Sequence, residues 1–405
     1  MRYTNTMKRL LTSLLFLTLL LLHGCGGGSS SDTSSTSTIT TFTLDEKEFV
    51  HTLFLTEYLW YDQVTPTIDY DQYTTPQALV TALRVDPPDQ WSFTMTAEEY
   101  ENYVNQTTAG FGFGYTSDDF IIYLVRIDAP AWGKLQRGDK IIALDGTAVT
   151  YDLLHEASQN LGTPTTFTLD RNGTDINVTV TPEEYTFKVT QGSVVEHNGL
   201  NIGYLRYDSF TSTSVEEIEN AFTLFKNNNI NELVIDLRYN GGGSVAVASL
   251  LLDNITNQYP GKQQCYLDWN ANYQQNNESY YFETADEEDG NELAMQRVFF
   301  LVTKDSASAS ELVISALKPY LGDANVITIG DYTHGKNVGM QGRIYNTDYY
   351  FLINFYVKNS AGEITSFDGI PPVCTAEDDL THLRGDENET MLQTALFYID
   401  NGNCP

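Results

Sequence analysis

Basic residues are scarce in this chain: 22 lysines and arginines stand against 54 aspartates and glutamates, a formal net charge of −32. Nucleic-acid binding needs clustered Lys and Arg to displace counterions from phosphates, so that class of partner is excluded. Cysteine is scarce as well, four in 405 residues. That is too few for a disulfide-built scaffold, and no spacing of Cys and His fits a zinc site. Cofactor motifs are missing too. Asn240-Gly241-Gly242-Gly243 sits between a strand-like and a helix-like run, as a phosphate loop does, but no Gly-Lys-Ser/Thr follows within it. The acidic run Asp286-Glu287-Glu288-Asp289 fails as a calcium loop, because the position five before Gly290 is Ala285. The expectation is therefore no metal and no cofactor.

Long apolar runs are nearly absent. The one exception spans residues 10–22, behind the basic Arg2, Lys8 and Arg9. It is too short for the about 20 helical residues that cross a bilayer core, and reads as a targeting segment over residues 1–25. It ends Leu22-His23-Gly24-Cys25, which resembles a bacterial lipobox and implies lipidation of Cys25. Residues 26–41 are mostly Gly, Ser and Thr with few apolar groups, and read as a flexible tether. Three cysteines then remain, so at most one disulfide forms within the chain. Cys374 with Cys404 is one choice, which the sequence does not fix. Acidity of this degree favours solubility outside the cytoplasm.

What is present divides the rest. Residues 42–108 read as a small helical domain, with Thr43, Thr75-Pro76 and Thr96-Ala97-Glu98-Glu99 as helix starts. From 109 to 186 the texture turns to strands and turns, with Arg171-Asn172-Gly173 as a hairpin tip. A core domain occupies 187–405. It alternates strand and helix patterns: strands at 202–207, 232–238 and 298–302, with helices at 215–225 and 245–252, the pattern of an α/β fold. Ser214-Val215-Glu216-Glu217 reads as a capping box. Residues 254–295 are polar and read as a surface excursion.

The chemistry concentrates in residues 305–341. Asp305-Ser306-Ala307-Ser308-Ala309-Ser310-Glu311 lies at a strand-to-helix junction, where small neighbours leave a serine hydroxyl accessible and helix N–H groups point outward. Thr333-His334-Gly335-Lys336 follows. A serine nucleophile needs a base, and a lysine can be one if its environment removes its charge from an unperturbed pKa of about 10.4.

These two runs together resemble the C-terminal processing peptidases, the tail-specific Ser/Lys serine proteases with an embedded PDZ domain. The resemblance implies Ser308 as nucleophile and Lys336 as general base. Asp236-Leu237-Arg238-Tyr239-Asn240-Gly241-Gly242-Gly243 matches a family pattern that places oxyanion donors at Gly242 and Ala309. Gly110-Phe111-Gly112-Phe113, with the later run 129–146, resembles a PDZ domain. It implies that Phe111, Gly112 and Phe113 hold a peptide's terminal carboxylate. The implied fold is α/β: a crotonase-like (ClpP-like) protease core, an inserted β-rich PDZ domain and the small N-terminal helical domain. The implied function is a serine endopeptidase of the bacterial envelope. It would be lipid-anchored, with the outer membrane favoured, and would act on unfolded or C-terminally disordered proteins. A homo-oligomer stays open.

Many members carry a glutamine four residues after the lysine. Here that position is Met340, and Gln341 completes a triad only if a bulge near Gly339 restores its face. His334 is a rival base, and Ser315-Ala316-Leu317-Lys318 matches the Ser-x-x-Lys of β-lactamases without its companion motifs. The rival function is a non-proteolytic binder of peptides or lipophiles on the same fold.

Overall fold

The structure is a computed structural model that describes residues 42–287 and 290–405. The expected leader, Cys25 and the tether lie outside the described residues. Among the described residues no helix is long and apolar enough to cross a membrane, and no group of His, Cys, Asp and Glu could hold a metal ion.

The chain forms two compact units. The first takes the chain up to Ala97 and adds Trp269–Asn276 and Met340–Phe355. Its helices start where the sequence places them. The Thr43 hydroxyl accepts the Glu46 N–H at 3.3 Å and opens Leu44–Thr56. Thr75 does the same for Ala78, with Pro76 at the first helical position of Pro76–Leu83. The two helices bury Val50, Leu53, Phe54, Leu79, Val80 and Leu83. The sequence reading of a purely helical domain misses a strand. Phe93–Thr96 pairs antiparallel with residues 348–351, and Phe93 stacks on Phe351. Its partner lies about 255 positions away, beyond any local sequence signal.

The second unit opens with a β-rich segment. Its elements are β1 (Thr107–Gly110), β2 (Phe113–Tyr115), β3 (Ile122–Val125), β4 (Lys140–Leu144), α1 (Tyr151–Gln159), β5 (Thr165–Arg171), β6 (Thr174–Val180) and β7 (Glu183–Thr186). The β5–β6 hairpin turns on Asn172-Gly173, both at positive φ, as a two-residue turn requires. First and last strands pair antiparallel, Thr107 opposite Thr186 and Gly110 opposite Glu183. Both ends of the segment therefore leave together. They are tied again where Phe187 N–H reaches Gln106 O and Gln106 Nε2 reaches Phe187 O. The segment has its own core of Phe111, Ile122, Leu135, Ile141, Leu154 and Phe167.

The remainder is built on a six-stranded sheet. β8 (Thr190–His197) pairs antiparallel with β9 (Leu200–Tyr207). β10 (Glu232–Asp236), β11 (Val298–Val302), β12 (Val326–Gly330) and the two-residue β13 (Cys374–Thr375) continue it in parallel, in the order β8-β9-β10-β11-β12-β13. Parallel strands need crossover helices, and these are α2 (Val215–Asn227), α3 (Val245–Ile255) and α4 (Ala309–Leu321). One face of the sheet presents Leu233, Ile235, Phe300 and Val302 to those helices. The other face presents Val234, Phe299 and Leu301 to α5 (Thr390–Asn401). Burial on both faces is why these strands read as continuous apolar runs. Cys374 and Cys404 form a disulfide, which fastens the end of α5 to the edge strand; Cys265 is buried and free.

Two sequence expectations are corrected here. Ser214 makes no capping box. Its hydroxyl donates to Thr211 O, while Glu217 reaches the N–H groups of Val189 and Thr190 at the start of β8. Glu217 ties a strand instead of a helix end because those two amides are otherwise buried donors. The 254–295 stretch is not all surface. Cys265, Phe282, Leu293 and Met295 are buried in the core cluster, at a spacing too irregular for a periodicity search to find.

Candidate active site

The parallel strands aim their carboxyl ends at one region, where loops meet. The β10 loop runs Leu237-Arg238-Tyr239-Asn240-Gly241-Gly242-Gly243 into α3, whose N-cap is Ser244. The β11 loop runs Thr303–Ala307 into Ser308, the N-cap of α4. The β12 loop carries Thr333, His334, Gly335 and Lys336.

The first two loops are stitched to each other. Asn240 O accepts Ala307 N–H at 3.0 Å and the Ser310 hydroxyl at 2.9 Å. The Ser306 hydroxyl donates to Leu237 O. The outer serines of the Ser-Ala-Ser-Ala-Ser run thus serve as rivets, and both are fully buried. The middle serine is different: Ser308 is half-buried, with φ of 57°. A non-glycine residue there is strained, which marks a position held by its surroundings. The Ala309 N–H, one of the first amides of α4, has no acceptor within its own helix.

Gly242 packs directly on this turn. A Cβ there would lie 2.8 Å from Ser308 Cβ and 3.0 Å from Ala309 N, at φ of 101°. Only glycine fits. The expected oxyanion pair, Gly242 and Ala309, is therefore brought together. The Gly242 N–H, however, donates to Asn240 Oδ1 at 2.9 Å. In this conformation it is engaged, and it serves an oxyanion only if shared or released. The sequence motif could not show this, because the competing acceptor is its own asparagine.

Glu311 joins the third loop to the second. It is 1% exposed, and its carboxylate accepts four hydrogen bonds. Oε2 takes Ser308 N–H and Lys336 N–H, both at 2.9 Å. Oε1 takes Gly335 N–H at 2.7 Å and the Thr333 hydroxyl at 2.6 Å. Ser308 and Lys336 are thus neighbours through a single oxygen. Lys336 is half-buried, less enclosed than a dry pocket would make it. Gly335 has φ of 87°, and a Cβ there would meet Phe367 O at 2.1 Å, so the 366–370 turn clasps this loop. Ile370 N–H on Thr333 Oγ1 adds to the clasp. His334 is exposed, with its ring Nδ1 at Lys304 O and 3.0 Å away. Gln341 lies in the first unit. It is exposed, and its N–H donates to Asn354 Oδ1.

Sequence reasoning missed the ionic platform below the β10 loop. Arg238 is fully buried and contacts Asp236, Asp378 and Glu389, while Arg384 bridges Asp236 and Asp208. Burial alone would raise the Asp236 carboxyl. Arg238 and Arg384 beside it outweigh that and hold it well below the usual carboxylate range. Asp208 and Asp378 are lowered in the same way, against burial, by their arginines. Only Asp236 and Arg238 belong to a motif. Asp378, Arg384 and Glu389 come from a polar stretch with no periodicity to mark it. The β-rich segment joins this platform through Arg137, which donates to Tyr239 Oη and Tyr123 O and pairs with Asp378.

The expected carboxylate loop lines a pocket of about 230 Å³ between β2 and α1. Phe111 is buried in the segment's core, and its carbonyl accepts Ala131 N–H; Gly112 O accepts Arg126 N–H. The loop carbonyls thus point away into the fold, as a loop offering its N–H groups to a ligand would need.

Residues 201–372 match the Peptidase family S41 domain, and residues 45–93 match the Peptidase S41 N-terminal domain, between them more than half of the chain. A tail-specific protease of Haemophilus influenzae is 26% identical over 66% of this chain and 39% of its own. The chloroplastic carboxyl-terminal-processing peptidase 2 of Arabidopsis thaliana is 27% identical over 57% of this chain and 45% of its own. The chain thus spans less than half the length of these two relatives. A crystal structure of an S41 protease from Bacteroides fragilis superposes with a TM-score of 0.77 at 24% identity, covering 87% of this chain and 97% of that one. At that identity the likeness is one of fold.

Proposed function

We infer, from the premise that this chain belongs to peptidase family S41, that it is a serine endopeptidase which captures protein tails and cuts with Ser308 and Lys336. One observation carries the reading: a buried carboxylate, Glu311, holds the backbones of Ser308 and Lys336 on one oxygen, with Gly242 packed on the serine turn. In the proposed reaction Ser308 Oγ attacks a peptide carbonyl carbon and its proton passes to neutral Lys336 Nζ. The C–N bond breaks, the leaving amine takes that proton, and water hydrolyses the Ser308 ester. Ala309 N–H and a Gly242 N–H released from Asn240 would stabilise the oxyanion. Gln341 as a third member stays part of the proposal.

The finer architecture is proposed as well. The β-rich segment is read as a PDZ domain whose Phe111, Gly112 and Phe113 amides take the substrate's terminal carboxylate. The parallel sheet with its loops is read as a crotonase-like protease core. Location follows from the sequence reading: lipid on Cys25 would anchor the chain in the bacterial envelope, and Cys25→Ser would then release it from membranes. The deciding experiment incubates an unfolded casein-like protein with wild type and Ser308→Ala, beside an active-serine label. Cleavage and labelling by wild type alone support the reading. A wild-type chain that neither cleaves nor labels sinks it in favour of a binding protein.

A further inference from the structure

The groove beside the Phe111–Phe113 loop has a polarity that tail capture alone does not require. A peptide added along β2 with its carboxylate on the loop amides turns its last side chain toward α1. Three α1 residues line the pocket there: Leu154, His155 and Ser158. Leu154 is 2% exposed and belongs to the segment's core, so the side chains left to meet the peptide are His155 and Ser158. The Ser158 hydroxyl donates to His155 O at 2.7 Å, so its proton is already engaged. The exposed His155 ring lies flat against Tyr151, and neither ring nitrogen has a hydrogen-bond partner among the described residues.

The opposite wall adds a cation. Arg126 is tied to the loop by its N–H on Gly112 O at 2.9 Å. Its guanidinium lies over the Phe187 ring at 4.4 Å and is hydrogen-bonded to the Tyr185 hydroxyl; Arg126 is among the residues that line the pocket, and it makes no ion pair among the described residues. Tyr185 brings a hydroxyl to the back of the loop, close enough that a Cβ on Gly112 would sit 2.9 Å from it. No aspartate or glutamate lines the pocket, although acids outnumber bases more than twofold in the whole chain. A pocket with an arginine, an unpartnered imidazole and no carboxylate is electrostatically opposite to the protein around it.

We propose that this groove selects the side chain of the substrate's last residue, and that it favours an acidic one, aspartate or glutamate. The proposal rests on the tail-capture reading above and adds His155 and Arg126 as specificity-determining residues. The aromatic walls of Phe113 and Tyr115 hold the side chain's methylenes, and the carboxylate takes the His155 N–H and the guanidinium field. Leucine in the same place would leave both polar groups facing an apolar partner.

The test uses the full chain carrying Ser308→Ala, so that a bound tail is not cut. Short labelled peptides of one disordered sequence end in Asp, Glu, Ala or Leu, each as free acid and as C-terminal amide, and binding is read by fluorescence anisotropy. Asp- and Glu-ending acids are expected to bind about tenfold more tightly than the Leu-ending one, the contribution of one charge-assisted hydrogen bond. His155→Leu, at an exposed position that the fold does not need, removes most of that preference and leaves the Ala-ending peptide unchanged. A Leu-ending acid that binds as well as the Asp-ending one overturns this inference, while free acids that beat their amides keep tail capture standing. Amides that bind as well as free acids refute tail capture itself, and this inference with it.

Discussion

Glu311→Gln changes one atom type and almost no volume, and it should disable the site without unfolding the protein. The carboxylate receives four donors, two on each oxygen, from Ser308, Lys336, Gly335 and Thr333. An amide has one oxygen and one NH₂ group. Whichever way the introduced amide turns, two donors lose an acceptor and face another donor. A hydrogen bond to a charged group contributes roughly 1.5–3 kcal/mol, so the pair lost amounts to about 3–6 kcal/mol before relaxation. Relaxation here means that Ser308, held at φ of 57°, moves toward an ordinary conformation, or that the Lys336 loop swings out. Either motion separates Ser308 from Lys336, the proposed nucleophile and base. If only about 3 kcal/mol is expressed in the transition state, kcat falls about hundredfold. Steady-state cleavage of a tail peptide supplies the readout, with KM holding near its wild-type value because the Phe111–Phe113 groove, the proposed site of tail capture, is untouched. That split between kcat and KM distinguishes positioning from a general loss of structure. A Glu311→Gln protein with wild-type kcat would refute the reasoning. So would a loss of activity that tracks only a fraction unfolded, measured by circular dichroism at the assay temperature.

Two further outcomes follow from the same geometry. Lys336→Arg stays charged and should be as inactive as Lys336→Ala in the casein assay, while His334→Ala keeps most of the rate; the reverse pattern would restore a serine–histidine mechanism. Acid stability should depend on the platform under the β10 loop. Asp208, Asp236 and Asp378 have folded-state pKa values below their unfolded ones. The stability they give is complete above about pH 4, the unfolded value, and is lost as pH falls through the folded values. Melting temperature should therefore drop between about pH 4 and pH 2. Asp378→Asn should lower it at neutral pH and flatten that drop, and an unchanged slope in the variant would contradict the assignment.

How much of this was visible in the sequence depends on how far each feature reaches along the chain. Helix starts at Thr43 and Thr75 were legible because a cap is made within three residues. The Asn172-Gly173 hairpin was legible for the same reason. Strands β10 and β11 were legible because burial on both faces leaves them apolar throughout. The strand Phe93–Thr96 was not, since its partner comes from residues 348–351 and no local pattern announces a pairing at that separation. Nor was the buried part of residues 254–295. Cys265 and Phe282 reach the core from a stretch rich in asparagine, glutamine and glutamate.

The site shows the same limit in a sharper form. Ser308 and Glu311 stand three residues apart before an apolar run, which reads locally as a capping box. The local half is real, since the carboxylate does take the Ser308 amide. A capping glutamate has a second oxygen and spare lone pairs, and nothing in its own helix can use them. Buried at 1% exposure, that carboxylate would be costly with its remaining lone pairs unmet. The loop that meets them is the one carrying Lys336, some two dozen residues on. The requirement that a buried carboxylate be satisfied thus selects which loop docks at the start of α4, and so sets the Lys336 backbone beside that of Ser308. A motif search finds the serine and the lysine as separate words; the acceptor count of the glutamate between them is what brings them into one place.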